Sequence, residues 1–73
     1  MTISQIRKTR GVPAKRGMRV YYRHEDRFGV IKSAKYGYLM ILLDGDKWPK
    51  AFHPTWKLNY LDGDDNIIHA TGE

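Results

Sequence analysis

The fold is indicated by a short stretch with a two-residue period, MRVYYR at residues 18–23. Successive side chains of a β-strand point to opposite faces, so Met18, Val20 and Tyr22 share one face of this stretch. The opposite face carries Arg19, Tyr21 and Arg23. An apolar face backed by a mostly charged face predicts a strand that buries one side and exposes the other.

Similar segments follow at short intervals along the chain. Residues 28–32 (FGVIK) and 38–43 (YLMILL) predict two more strands, the second of them apolar on both faces. Shorter strands are expected near Phe52 and across residues 56–60 and 67–68. Four to five short strands joined by glycine-containing turns predict an all-β fold, a small antiparallel barrel.

Glycine residues mark turns and one crowded position. Tyr36-Gly37 and Asp44-Gly45 follow predicted strands and have compositions typical of tight turns. Gly29 lies inside the second predicted strand, where a glycine indicates a bulge or a close backbone approach.

The chain has 73 residues, which is enough for one domain. Its first ten residues are too short to form a stable isolated helix, and Gly11-Val12-Pro13 interrupts any helix that begins there. We therefore expect a flexible basic arm at residues 1–10, a small antiparallel barrel at residues 11–69 and a frayed C-terminus at residues 70–73.

The composition excludes several classes of protein. With no cysteine, the chain has no disulfide framework and no thiolate metal site. No apolar run approaches the roughly 20 residues that a membrane-spanning helix needs. The sequence therefore favours a soluble, cytoplasmic protein that is not associated with a membrane.

The charge is distributed unevenly along the chain. The first 23 residues hold seven Arg or Lys and no Asp or Glu, whereas the remaining 50 hold six basic and eight acidic side chains. The net charge of +5 therefore comes from a strongly basic leader joined to a mildly acidic body. Such a leader attracts polyanions or an acidic protein surface, which favours a binding function over a catalytic one.

Two motifs carry a family resemblance. KRGMRV at residues 15–20, followed by GVI at 29–31, resembles the opening of a KOW-type SH3-like barrel, with a basic residue, a glycine and a β-branched residue at this spacing. The segments YLMILLDG at 38–45 and HPTW at 53–56 are similar to parts of small SH3-like proteins encoded by bacteriophages and prophages. The resemblance covers about residues 15–61. It implies an SH3-like barrel that binds RNA or a partner protein, as KOW modules do.

The main candidate site is a nucleic-acid interface. Tyr21 between two arginines suits a single strand, because the cations would track phosphates while the ring stacks on a base. Tyr36 and Tyr38, with Lys35 beside them, would form a second stacking platform. The proposed contacts to DNA or RNA are Arg7, Lys8, Arg10, Lys15, Arg16, Arg19, Tyr21, Arg23, Lys32, Lys35, Tyr36 and Tyr38. A solvated polar surface without a ligand is the alternative explanation.

A second hypothesis is a protein–protein adaptor. Trp48 lies in a polar stretch and is expected to be exposed, and with Phe52 it would contact a partner, which for a phage-like protein would be a host or virion protein. A structural accessory role is a third possibility. Trp56 and Tyr60 are instead expected in the core. The apolar segment 39–43 leaves a monomer and a weak dimer both open.

Catalytic and metal-binding residues are scarce. The only serines are Ser4 and Ser33, and nothing resembles a nucleophile elbow or a phosphate-binding glycine loop. The three histidines have no spacing that would place two on one element, and turn chemistry accounts for the aspartates. We therefore expect a non-catalytic protein that binds no metal and no cofactor.

Overall fold

The computed structural model describes residues 2–71. Within this range the elements are α1 (Ile3–Arg10), β1 (Arg19–Tyr22), β2 (Arg27–Lys35), β3 (Tyr38–Leu43), β4 (Lys50–Phe52), β5 (Leu58–Leu61) and β6 (Ile67–Ala70). The strands form one antiparallel sheet in the order β4-β3-β2-β1-β5-β6. The predicted all-β class is confirmed, with one strand more than the four to five expected.

The sheet curves around a single apolar core, which gives the fold a barrel-like shape. Its Cα extents of 27 × 25 × 23 Å are similar in all three directions. The central strands each contribute fully buried side chains, among them Val20, Ile31, Leu39 and Leu58. The outward faces of these strands are therefore the surfaces on which a binding site can be built.

The two-residue period predicted for β1 is confirmed. Val20 and Tyr22 of β1 are buried, while Arg19 and Tyr21 are half-buried on the other face. On β3, which the sequence predicts to be apolar on both faces, buried and less buried residues alternate in the same way.

Gly29 makes the close approach that the sequence predicts. A Cβ atom at this position would lie 2.9 Å from the backbone carbonyl oxygen of Leu42 on β3, so a larger residue would force the two strands apart. The bulge in this strand lies three residues later, where Lys32 is an extra residue between two registers with β3.

The N-terminal segment is a capped helix. Thr2 Oγ1 accepts a hydrogen bond from the backbone N–H of Gln5 (3.2 Å), and Gln5 Oε1 accepts one from the N–H of Thr2 (2.8 Å). This reciprocal pair satisfies two amide donors that a helix start otherwise leaves without partners. Gly11 ends the helix in the left-handed conformation, with φ +65°.

The prediction of a flexible arm at residues 1–10 is therefore wrong for residues 2–10. Ile6 is fully buried and Ile3 packs against the core, so α1 is held by tertiary contacts. The length of this segment is too short for a helix that is stable as an isolated peptide. In proteins, however, most helix stability comes from packing an apolar face.

The folded part of the chain also extends further than predicted at the C-terminus. Thr71 is buried; its N–H donates to the carbonyl of Leu58, and its Oγ1 accepts from the N–H of Leu58, both at 3.0 Å. Ala70 belongs to β6. The predicted frayed C-terminus therefore begins too early, and its last two residues lie outside the described residues.

One of the two aromatic residues expected in the core lies there. Tyr60 is fully buried, its hydroxyl donates to the carbonyl of Pro54, and burial raises its pKa. Trp56 is 37% exposed, so its assignment to the core is wrong. Among residues 2–71, no helix has the length and apolar character required to cross a membrane.

Candidate nucleic-acid interface

The first arginine of the predicted interface is engaged inside the protein. Arg19 Nε lies 3.2 Å from Asp65 Oδ1, and its guanidinium lies 5.3 Å from the ring centre of Phe28. A second carboxylate, that of Asp44, is 4.0 Å from the same group. Two acidic neighbours offset its charge, so Arg19 is a weaker phosphate ligand than the sequence predicts.

Arg23 has a structural role. Its guanidinium donates to Asn59 Oδ1 (2.6 Å) on β5 and to the backbone carbonyl of Thr71 (2.8 Å). These bonds connect the end of β1 to β5 and to the end of the described chain. The predicted pair of phosphate-binding arginines on either side of Tyr21 is therefore not supported, because both guanidinium groups serve contacts within the fold.

Another set of ion pairs joins β2 to the loop after β3. Arg27 pairs with Glu25 (3.2 Å) and with Asp46 (3.1 Å), and Asp46 also pairs with Lys50 (3.4 Å). The hydrogen bond from Arg27 is the main reason that the pKa of Asp46 lies below its ordinary value. Glu25 and Asp46 are therefore paired with Arg27 and Lys50 and do not neutralise the basic leader.

The other basic residues of the prediction take part in no ion pair formed among residues 2–71. They are Arg7, Lys8 and Arg10 on α1, Lys15 and Arg16 before β1, and Lys32 and Lys35 on β2. Most are exposed, with Arg7 half-buried. Their positive charge is available to an external anion.

The bulge in β2 brings two of these cations together. Lys32 is the extra residue of the bulge, and Arg16 Nε donates a hydrogen bond to its carbonyl oxygen at 3.2 Å. The neighbouring N–H of Gly17 donates to the carbonyl of Ile31 at 2.8 Å. The segment before β1 is thereby fixed along β2, with Arg16 beside Lys32.

Two of the three cations of helix α1 share a helix side with a residue next to this surface. Ser4 near its start lines a groove together with Arg16 and the β2 residue Ser33. Residues three and four positions apart lie on one side of a helix, so Arg7 and Lys8 share the side that carries Ser4. The start of this side, at Ser4, borders the bulged part of β2.

We call this surface the basic face and define it as Arg7, Lys8, Lys15, Arg16, Lys32 and Lys35. Lys15 lies at its edge, in a second groove shared with Arg16 and Asp62. The carboxylate of Asp62 accepts the backbone N–H groups of Asp64 and Asn66 within its own turn. Arg10 is not part of the face, since it lines a different groove at the other end of α1.

The residues of the second predicted stacking platform lie at the tip of the β2–β3 hairpin. Tyr36 is 82% exposed, and Lys35 Nζ lies 5.4 Å from its ring centre. Tyr36 and Gly37 both have positive φ, +52° and +81°. Tyr38, which is half-exposed, is the cross-strand partner of Lys35. The platform therefore adjoins the β2 end of the basic face.

Tyr21 lies on the outward face of β1, as predicted, but in a different setting. Its ring contacts that of Phe28, with centres 5.0 Å apart and planes inclined by 59°. Phe28 is not among the residues that the sequence predicts to bind nucleic acid. Its place at the start of an alternating strand was the available signal, but the pairing with Tyr21 depends on the sheet register.

The two residues of the predicted protein-binding site lie in different environments. Trp48 is 76% exposed in the loop between β3 and β4. Phe52 packs against the core, with its ring centre 4.8 Å from that of Tyr22. Trp48 is therefore available to a partner, whereas Phe52 serves the fold.

No grouping of three or more His, Asp or Glu side chains suited to a metal ion occurs among residues 2–71. Comparison with protein-family models, curated proteins and solved structures found no match to this chain.

Proposed function

We propose that this protein is a non-catalytic module that binds nucleic acid through the basic face. The observation that supports the proposal is a group of six cations on α1, the segment before β1 and β2, with Arg16 hydrogen-bonded to the backbone of Lys32 and none of the six in an ion pair among residues 2–71. Arg23 and Tyr21, which the sequence predicts at the centre of the interface, lie outside this surface. Arg19 lies at its edge, and Asp65 and Asp44 offset its charge.

The distribution of acidic residues favours an external anion. Glu25, Asp44, Asp46 and Asp65 lie within ion-pair distance of Arg19, Arg27 or Lys50, so they do not neutralise the basic face. Like charges gathered on one surface repel one another and destabilise the compact state. A phosphate backbone relieves this repulsion and releases its own condensed counterions on binding.

The hairpin tip supports contact with bases. A tyrosine at positive φ is strained by about 1–2 kcal/mol, in a turn where asparagine or glycine is more stable. The turn nevertheless holds an aromatic ring almost fully in solvent beside Lys35. Stacking on an unpaired base is a function that such a ring serves and that asparagine or glycine does not.

The experiment is a comparison of two charge-reversal variants with equal net charge. Lys8→Glu combined with Lys32→Glu removes two exposed cations of the basic face, and Lys47→Glu combined with Lys57→Glu removes two cations elsewhere. We expect the first variant to lose at least about tenfold in affinity for a labelled 12-nucleotide strand, through loss of phosphate contacts. The control is expected to lose much less. Equal losses in both, or no binding by the unmodified protein, would contradict the proposal.

Because Trp48 is exposed, a protein–protein adaptor is a second candidate function. A large ring that is 76% exposed is unusual in a small domain and is a common anchor at protein interfaces. We infer that a protein partner, if there is one, contacts this loop. Trp48→Ala is then expected to lose a partner that the unmodified protein retains in a pull-down, whereas unchanged recovery of every partner would count against this function.

A further inference from the structure

A groove on the outer face of the sheet is not explained by the basic face. It is formed by β2, β1, β5 and the turn into β6, and its lining residues are Tyr21, Phe28, Asn59, Leu61, Asp65 and Ile67. Tyr21 is the cross-strand partner of both Phe28 and Asn59, so these three side chains form a row across the sheet. The remaining residues form the far side of the groove.

Much of this groove is apolar although it lies outside the core. Phe28 is 38% exposed and Ile67 is 61% exposed, on either side of the half-buried Tyr21. Covering such surface removes apolar area from water and is favourable. The rings of Tyr21 and Phe28, together with the aliphatic side chain of Ile67, form an apolar surface that suits a flat ligand.

Two polar groups in the groove distinguish between possible occupants. Asn59 Oδ1 accepts from Arg23, while the Nδ2 group donates to no other residue among 2–71. Asp65 Oδ1 accepts from Arg19 Nε, which leaves Oδ2 as an acceptor. An aliphatic side chain from a protein partner would bury these groups without hydrogen bonds, at a cost. The edge of a nucleobase carries both donors and acceptors and can satisfy them.

The groove also adjoins the basic face. Arg19 lines the groove that contains Lys15 and Arg16, and the same side chain pairs with Asp65 in the apolar groove. One residue therefore connects a surface suited to phosphate with one suited to a base.

We propose that the Tyr21–Phe28 groove binds one unpaired nucleobase of a strand whose phosphates lie on the basic face. This rests on the proposed function and makes it more specific, because a base in a paired duplex is not free to enter the groove. The ligand is then a single strand.

The test uses two neighbouring isoleucines on β6 as a matched pair. Ile67→Glu places a carboxylate in the groove, whereas Ile68→Glu makes the same change at the next residue, which is similarly exposed and does not line the groove. Affinities are measured by fluorescence anisotropy for a labelled 12-nucleotide strand and for an abasic strand of equal length. Phe28→Leu is a second variant, which keeps the apolar bulk and removes the ring.

The unmodified protein is expected to bind the base-bearing strand about tenfold more tightly than the abasic strand, through stacking. Ile67→Glu and Phe28→Leu are expected to remove most of this difference, and Ile68→Glu to retain it. Equal affinity of the unmodified protein for the two strands, or retention of the difference in both groove variants, would overturn the groove assignment while leaving phosphate binding intact. No binding to either strand would overturn the proposed function as well.

Discussion

Arg16 Nε donates a hydrogen bond to the carbonyl oxygen of Lys32 at a distance of 3.2 Å. The carbonyl belongs to the extra residue of the β2 bulge. This contact therefore fixes the backbone at the position where a cation of the leader meets one of the sheet, and it gives Arg16 a structural role in addition to the binding role proposed for it.

Arg16→Ala and Arg16→Lys separate these two roles. Both variants lose the hydrogen bond and are expected to lower the free energy of unfolding by about 0.5–1.5 kcal/mol, measured by urea denaturation. Only the alanine variant loses a charge, so only it should bind an oligonucleotide more weakly at low salt. Unchanged stability and affinity in Arg16→Ala would show that the contact has neither role.

Ile6→Ala tests whether α1 is part of the fold. The side chain is fully buried, so truncation should lower the free energy of unfolding by about 2–5 kcal/mol. Lys8→Ala, on the exposed side of the same helix, is the control and is expected to change stability little. A loss below about 0.5 kcal/mol for Ile6→Ala would instead indicate a helix that is not held against the core.

Tyr36→Asn is expected to change stability and binding in opposite directions. Asparagine tolerates the positive φ of this turn position, so the melting temperature should rise, with a gain of about 1 kcal/mol. Affinity for a single strand should fall because the exposed ring is lost. Tyr36→Phe keeps the ring and should bind like the unmodified protein. Unchanged affinity in Tyr36→Asn would remove the hairpin tip from the interface.

Stability is expected to fall in acid through two aspartates. Hydrogen bonding from Arg27 lowers the pKa of Asp46, and backbone hydrogen bonds from Asn66 and Asp64 lower that of Asp62. A carboxyl group with a depressed pKa in the folded state stabilises the protein above its ordinary pKa, and this contribution is lost as the pH falls toward the depressed value.

Urea denaturation between about pH 6 and pH 2.5 measures this effect, since the ordinary pKa of aspartate is about 3.9. Asp46→Asn should reduce the loss of stability on acidification. The control is Asp64→Asn, whose carboxylate is in no ion pair among residues 2–71. An identical acid dependence in Asp46→Asn and the unmodified protein would contradict this role of the Arg27 pair.

Local patterns predicted most of the sheet. The alternation in residues 18–23 and the continuous apolar run at 38–43 are local features of the sequence, and a strand lies at each of them. The helix was missed because its stability depends on Ile6 entering a core formed by distant residues.

The candidate site could be predicted only in part. The excess of leader cations was evident from the sequence, and the exposure of Tyr36 and Trp48 agrees with what their neighbours indicated. The sequence does not show which arginines are engaged, since the hydrogen-bond partners of Arg19 and Arg23 lie more than 35 residues away along the chain. The bulge at Lys32 likewise follows from pairing with β3 and has no signal of its own in the sequence.

The salt dependence of binding tests the basic face most directly. Log affinity for a single strand should fall linearly with log salt concentration, with a slope of about −0.7 for each phosphate contacted. If the basic face makes these contacts, Lys8→Glu combined with Lys32→Glu should make the slope shallower by about 1.4, the share of two phosphates. The same slope in this variant and in the unmodified protein, or a slope near zero in both, would show that these cations do not bind the phosphate backbone.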